Sequence, residues 1–436
     1  MTETPHALHP VGKIYVTILC GAGDRPITAL NCRTPLEYAD TPNLDQAAAR
    51  GVLGMVQVID DEIAPESDSG AMAILGYDPL EHYTGRGALE SLGMGYWKPE
   101  RANVAFRINF ASQDEHAGHL DRRTARDLSD PELQQLASEV RERLRPQAGP
   151  DITFELTAFG RHRGILSFTS GAMPLSGNVT NTDPGFRRIG PFGVPERTPS
   201  SQPRPCKPLD DTEGAANTAQ IVNEFVNASQ QILAASEVNA RRRRTGKPQA
   251  NIILVRDGGH ELPALENFTI RTGLTLSLYG QIPAEHGLCK LIGGRFVRSN
   301  PALGQTEEAY YEAVAAALPS DPSDVVLVHL KGADEPAHDN LPLDKVAALE
   351  RIDRHYIGPL LAGLRPGDVV VLTGDHVTPC EVGIHASDRV PTAVYGSTIS
   401  ADETIQFSER AAANGTLPVN RSVELLAFAA KAAHER

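Results

Sequence analysis

Six short runs of Val, Ile and Leu constrain this 436-residue chain more than any other feature. They are "KIYVTILC", "VLGMVQVID", "NIILVRDG", "LTLSLYG", "DVVLVHLKG" and "DVVVLTGD". Several are almost continuously apolar rather than alternating, as expected of strands covered on both faces. Helical patterns separate them, among them "LDKVAALERIDRHYIGPLL", "EGAANTAQIVNEFVNASQQILAASEVNARRRR" and "SVELLAFAAKAAHER". This alternation predicts an α/β protein with a mainly parallel sheet.

The middle of the chain breaks the pattern. "ITFELTAF" and "RGILSFTS" are spaced like antiparallel strands beside one helix, "PELQQLASEVRERLR", and the Pro- and Ser-rich "PFGVPERTPSSQPRPCKP" reads as a loop. We therefore expect a core built from residues 1–105 and 255–436, interrupted by a smaller inserted α+β domain over residues 106–254.

A formal charge of −14 argues against nucleic acid or an anionic membrane as partner. An anionic small substrate remains open, provided that arginines cluster locally. No apolar run approaches the ~20 residues that span a bilayer. "MTETPHALHP" carries no secretory pattern. The five cysteines, at positions 20, 32, 206, 289 and 380, form no CxxC pair. They read as free thiols in a reducing cytoplasm. The run "RRRR" at 241–244 reads as a solvated helix end. Nothing in the sequence fixes an oligomeric state.

Four polar clusters follow strand ends, where open parallel sheets gather ligands. "CGAGDRP" places Cys20 at the end of the first strand, and "PESDSGAMAILGY" places Ser67 just before an apolar helical pattern. A serine there is commonly a cap, yet the same position suits a phosphorylated hydroxyl. "HLKGADEPAHD" brings Asp334 and His338, and "TGDHVTPCEVGIH" brings Asp375, His376 and His385. Such mixed oxygen and nitrogen sets suit Mn²⁺, Zn²⁺ or Fe²⁺, and two adjacent ions would clamp the oxygens of a phosphoryl transfer. Arginines complete the list. "YTGRGALE" gives Arg86, "AFRINFA" gives Arg107 and Asn109, and "LDRRTARD" gives Asp121, Arg122, Arg123 and Arg126. Guanidinium forks hold phosphate and carboxylate bidentately. Arg126 reads as a solvated side chain, whereas Arg107 interrupts an apolar strand.

With these clusters in this order, the chain resembles the archaeal-type, cofactor-independent phosphoglycerate mutases of the alkaline phosphatase superfamily. The resemblance runs from "CGAGDRPITALNCRTPLEYADTPNLDQAAARG" through "SDSGAMAILGYDPLEHYTGRGALESLG", "VAFRINFAS", "DRRTAR", "NTDPG" and "HLKGADEPAHD" to "GDHVTPCEVGIHASDRVPTAVYG". It implies an alkaline-phosphatase-like core and a ping-pong transfer between 3-phosphoglycerate and 2-phosphoglycerate through a phosphoserine at Ser67. It also implies two divalent ions, Mn²⁺ or Mg²⁺. One would sit on Asp334, His338 and His385, the other on Ser67, Asp375, His376 and the residue at position 20. Arg86, Arg107, Asn109, Asp121, Arg122 and Arg123 would hold the anionic acid.

Three positions depart from the family pattern. Cys20 stands where the family has a metal-binding aspartate, Gly185 where it has histidine, and Arg389 where it has proline. A thiolate favours softer ions, so Zn²⁺ or a single metal becomes an option. These departures raise an alternative: a diverged homologue that transfers a phosphoryl or phosphonate-derived group to a different hydroxy acid in phosphonate antibiotic metabolism.

Overall fold

Residues 12–114, 118–122, 127–146, 151–160, 162–302 and 304–434 are described by the computed structural model. Arg123, Arg126 and the N-terminal "MTETPHALHP" lie outside them. In chain order the strands are β1 (Ile14–Leu19), β2 (Val52–Val56), β3 (Ala102–Gln113), β4 (Leu120–Asp121), β5 (Thr153–Phe159), β6 (Arg163–Ser170) and β7 (Phe186–Ile189). They continue with β8 (Phe192–Pro195), β9 (Ile252–Gly259), β10 (Leu276–Gly280), β11 (Arg295–Arg298), β12 (Val325–Leu330), β13 (Val369–Thr373) and β14 (Val390–Gly396). Helices include α1 (Ser67–Ile74), α2 (Arg86–Met94), α3 (Asp130–Arg143), α4 (Glu213–Ala234), α5 (Glu237–Arg244), α6 (Pro283–Leu291), α7 (Asp334–His338) and α8 (Pro342–Ile352). Among the described residues, no helix is long and apolar enough to cross a membrane. The five cysteines are free thiols.

The chain divides into two compact units, Met1–His82 with Ala264–Arg436, and Tyr83–Pro263. In the first, seven strands form one sheet in the order β11-β10-β12-β1-β13-β14-β2. The first five run parallel, and β14 and β2 complete the sheet antiparallel. The α/β class with a largely parallel sheet is therefore the observed one. Every residue of β1, β12 and β13 is buried, which is why their sequences carry no alternation. Beside the hydroxyls of Thr17 and Thr373, these strands bury one imidazole, His329 in β12. A wholly buried imidazole needs partners, and it lies 2.5 Å from Glu285 of α6 and 3.1 Å from Asp375.

Beneath the loops that leave β1 and β13, Lys345 of α8 is fully buried. Its Nζ donates to Asp24 Oδ2 (2.8 Å) and to the carbonyls of Gly23 and Thr378 (both 3.0 Å). Nearby, Glu409 accepts hydrogen bonds from the Asp24 amide (2.8 Å) and Thr34 Oγ1 (2.6 Å). Burial outweighs those bonds and pushes its carboxyl up to about 7. A raised carboxyl favours the folded state while protonated. That contribution is present below the unfolded value and is lost as pH rises towards 7. Glu409→Gln should thus gain thermal stability over the parent between about pH 5 and about pH 8, by a few degrees, in melting curves at both ends.

The second unit holds an antiparallel sheet in the order β4-β3-β6-β5, with β9 on the other side of β3, and a separate β7–β8 hairpin. Helices α3 and α4 close its apolar core over Phe106 and Phe168, with Phe225 of α4 packed edge-on against Phe168. This unit starts at Tyr83 and ends at Pro263, whereas the sequence suggested 106–254. The reason is packing. Helix α2 lies against β3, β6 and β9, and "NIILVRDG" pairs with β3 rather than joining the parallel sheet. The ladder between β3 and β9 shifts register between Ala105 and Arg107, so the arginine that interrupts the apolar run lies beside a bulge, where a side chain can be re-aimed.

Two further expectations change. The long helix read from "EGAANTAQ" onward breaks after Ala234, and α5 restarts with Ser236 capping it through Val238 N. In "RRRR" three side chains are exposed, but Arg242 is buried, donating to Pro248 O (2.7 Å) and pairing with Asp127 and Glu132. The helical period turns that one position inward.

Candidate active site

The carboxyl ends of three adjacent parallel strands, β12, β1 and β13, carry Lys331, Cys20 and Asp375–His376 in turn. Ser67 comes from α1 and His385 from the loop before β14. All seven residues expected at a metal centre in this unit are brought together. Gly70, one turn into α1, makes the approach possible. A β-carbon there would lie 2.6 Å from the Asp375 carbonyl oxygen. Gly21 does the same on the other side: its φ is +61°, and a β-carbon would meet Asp334 Oδ1 at 2.6 Å.

Ser67 is the first helical residue rather than the cap, which is Glu66. Its buried Oγ accepts a hydrogen bond from Lys331 Nζ at 2.5 Å and lies 3.5 Å from His376 Nε2 and 3.8 Å from Cys20 Sγ. Lys331 also reaches Cys20 Sγ at 3.2 Å. Burial works against its ammonium, but Cys20, Asp375, Glu285 and Asp334 outweigh it and hold the pKa above the usual lysine range. Burial and the Asp375 carboxylate push the Cys20 thiol well above the ordinary range, against the pull of the Lys331 ammonium.

The imidazoles are each held by an oxygen on their outer side. His338 Nδ1 is 2.9 Å from Gly383 O, His376 Nδ1 is 2.9 Å from Thr378 Oγ1, and His385 Nδ1 is 2.9 Å from Pro65 O. With Nδ1 beside an oxygen, each ring turns Nε2 inward, the orientation that outer-shell support gives a ligating histidine. Asp334 Oδ1 lies 3.4 Å from His338 Nε2 and 3.8 Å from His385 Nε2. One potential ligand atom from each of these three residues falls within 4.8 Å of the other two. Thr378 Oγ1 donates to Asp334 Oδ1 at 3.0 Å and so couples the two halves. Burial and the adjacent His376 lower His385 to about 3, which keeps its ring neutral. Burial opposes the charge on Asp334 and Asp375, yet the surrounding histidines hold both carboxylates well below their ordinary range. The donor set fits divalent cations.

Sequence reasoning missed Lys331, His329, Glu285 and Thr378. The signal for the first two was present: a histidine and a lysine inside "VVLVHLKG" interrupt an otherwise apolar run.

The expected anion-binding residues lie in the second unit and form two groups. Arg107 Nη1 pairs with buried Glu90 at 2.5 Å, and Arg86 Nε reaches the same oxygen at 2.9 Å. Burial, together with Arg86, Arg163 and Arg256, lowers Arg107 to about 9 despite Glu90. In the second group Arg122 grips Asp183 with Nε (2.5 Å) and Nη2 (2.8 Å). Asn109 Nδ2 reaches the same carboxylate at 3.4 Å. Asp121 is exposed on β4.

Comparison with known proteins identifies the family. The 2,3-bisphosphoglycerate-independent phosphoglycerate mutase profile matches residues 48–239. A mutase of that name from Methanopyrus kandleri is 36% identical over 410 residues, covering 93% of this chain and 92% of the relative. The chain belongs to this mutase family. A second member, from Methanocaldococcus jannaschii, is 34% identical over 415 residues, covering 93% of both chains. Among solved structures, a protein from Pyrococcus horikoshii superposes with a TM-score of 0.73 at 30% identity, covering 97% of each chain. The cofactor-independent phosphoglycerate mutase from Thermoplasma acidophilum gives 0.58 at 28% identity, covering 97% of this chain and all of the other. The mutase family is one of enzymes, and the present chain is an isomerase by membership. Membership and donor set together imply the use of divalent metal.

Proposed function

We propose that the chain interconverts 3-phosphoglycerate and 2-phosphoglycerate by carrying the phosphoryl group on Ser67. The observation that carries this reading is the buried Ser67 Oγ, held 2.5 Å from Lys331 Nζ among Asp375, His376 and Cys20. In the first half-reaction Oγ attacks phosphorus, the Oγ–P bond forms, and the bond to the glycerate oxygen breaks. The hydroxyl proton ends on that oxygen. After the glycerate turns, its other hydroxyl attacks the phosphoserine, and Ser67 recovers a proton. Lys331 steadies negative charge on the serine oxygen. Divalent ions held by Asp334, His338 and His385, and by Ser67, Asp375, His376 and position 20, would supply Lewis acidity and lower the pKa of the hydroxyl. Of the two ions that the family resemblance implies, Mn²⁺ suits the first set better, because that set offers two imidazoles beside one carboxylate. Arg86, Arg107, Asn109, Asp121 and Arg122, with Arg123, are assigned to the carboxylate and phosphate of the acid. The reaction fits a cytoplasmic, glycolytic enzyme.

The test is a ³¹P NMR time course with Mn²⁺ and 3-phosphoglycerate. Growth of the 2-phosphoglycerate resonance is expected, whereas an unchanged spectrum from folded protein rejects the reading. One observation favours a second substrate. At Gly185 a β-carbon would lie 2.1 Å from Arg122 Cζ, so this arginine occupies space that a side chain would otherwise take. An anion site altered in this way fits transfer to a different hydroxy acid, including a phosphonate-derived one. Activity on such acids in the same assay, with none on 3-phosphoglycerate, would establish it.

A further inference from the structure

The two donor sets of the first unit are chemically unlike. Asp334, His338 and His385 offer only oxygen and nitrogen, while the other set includes sulfur. Cys20 Sγ lies 3.3 Å from Asp375 Oδ2, 3.6 Å from His376 Nε2 and 3.8 Å from Ser67 Oγ. His376 Nε2 is in turn 3.2 Å from Asp375 Oδ2 and 3.5 Å from Ser67 Oγ. Four ligands at tetrahedral corners, with bonds of about 2.0–2.3 Å, stand about 3.3–3.8 Å apart. The five separations fall almost entirely in that range.

A second observation points to a cation at the same place. The Lys331 ammonium already stands among these donors, 3.2 Å from Sγ and 2.5 Å from Ser67 Oγ. Outer-shell groups stand behind these donors. Thr378 anchors His376, the Gly21 amide reaches Asp375 Oδ1 at 3.3 Å, and Asp375 Oδ2 meets His329, which is backed by Glu285.

We propose that Cys20, Ser67, Asp375 and His376 form a thiolate-containing site selective for Zn²⁺, which makes the centre heterodinuclear. The proposal rests on the two-ion reading above and adds the identity of one ion. A borderline-soft, tetrahedral ion matches one sulfur, one imidazole and two oxygens better than Mn²⁺ or Mg²⁺ does. Binding replaces the S–H bond with a metal–sulfur bond and releases the proton to water, with no change of oxidation state. Lys331 must yield its contact with sulfur, but it keeps its contact with Ser67, and the charges of Asp375 and Glu285 still favour its ammonium.

Cobalt provides the test, because Co²⁺ binds both kinds of site and reports sulfur ligation optically. Titration of the full chain with Co²⁺ should give a near-ultraviolet thiolate charge-transfer band from one site, together with visible ligand-field bands. Added Zn²⁺ should abolish the charge-transfer band, and Mn²⁺ at the same concentration should not. Cys20→Ser should lose that band and keep the visible ones. In Cys20→Asp, the ratio of Zn²⁺ to Mn²⁺ affinity should fall by about 10–100-fold. Visible bands without a thiolate band overturn sulfur ligation and leave the two-ion reading standing, as does a thiolate band that survives Cys20→Ser. Failure of folded protein to bind Co²⁺ at all overturns both.

Discussion

Ser67→Ala is expected to lower mutase turnover by about ten-thousandfold or more while leaving the fold intact. Alanine is the best helix former, and Ser67 is not the helix cap, so α1 loses no hydrogen bond that starts it. What disappears is the atom that would carry the phosphoryl group between two positions on the acid. Intact-protein mass spectrometry during turnover supplies an independent readout. The parent should show a population heavier by one phosphoryl group, and the variant should show none. A variant that keeps its activity, or that still becomes phosphorylated, would remove Ser67 from the reaction.

The second large effect concerns stability. Lys345→Met should cost about 3–5 kcal/mol, because it leaves the wholly buried Asp24 without its only ion-pair partner among the described residues. The same Nζ bonds to Gly23 O and Thr378 O and so ties the loop after β1 to the loop after β13. Divalent-ion affinity should weaken together with the denaturant midpoint. Adding Asp24→Asn removes the stranded charge and still offers an oxygen to the Cys380 amide, which now lies 3.2 Å from Oδ1. The double variant should therefore recover part of the loss. If Lys345→Met alone shifts stability by less than about 0.5 kcal/mol, the buried pair contributes no more than an exposed one would.

Much of the first unit was legible because burial on both faces writes itself into sequence as unbroken Val, Ile and Leu. Strand ends then point to Cys20, Asp334 and Asp375 with no further information. The antiparallel edge formed by β14 and β2 was not legible, because pairing direction depends on distant partners rather than on local pattern. "NIILVRDG" shows the same limit. Its composition says buried strand, but only the β3 register says which sheet. At the site, Lys331 and His329 were overlooked although each interrupts an apolar run, and Glu285 and Thr378 become significant only through what they touch. Arg242 was misread because a run of like charges hides the one position that the helical turn directs inward.

The strand order also decides when the chain can fold during synthesis. β1 lies at the middle of its sheet, yet Ile14 pairs with Val325 on one side and Val369 on the other. The ribosome must therefore make more than 300 residues before the central strand gains either neighbour. The unit Tyr83–Pro263 is contiguous, with all its ladders internal, and can close while β1 still waits. Such a delay favours slow, non-local assembly and leaves a highly apolar segment in need of protection on the nascent chain. The centre built around Cys20 is then completed only once His385 has emerged.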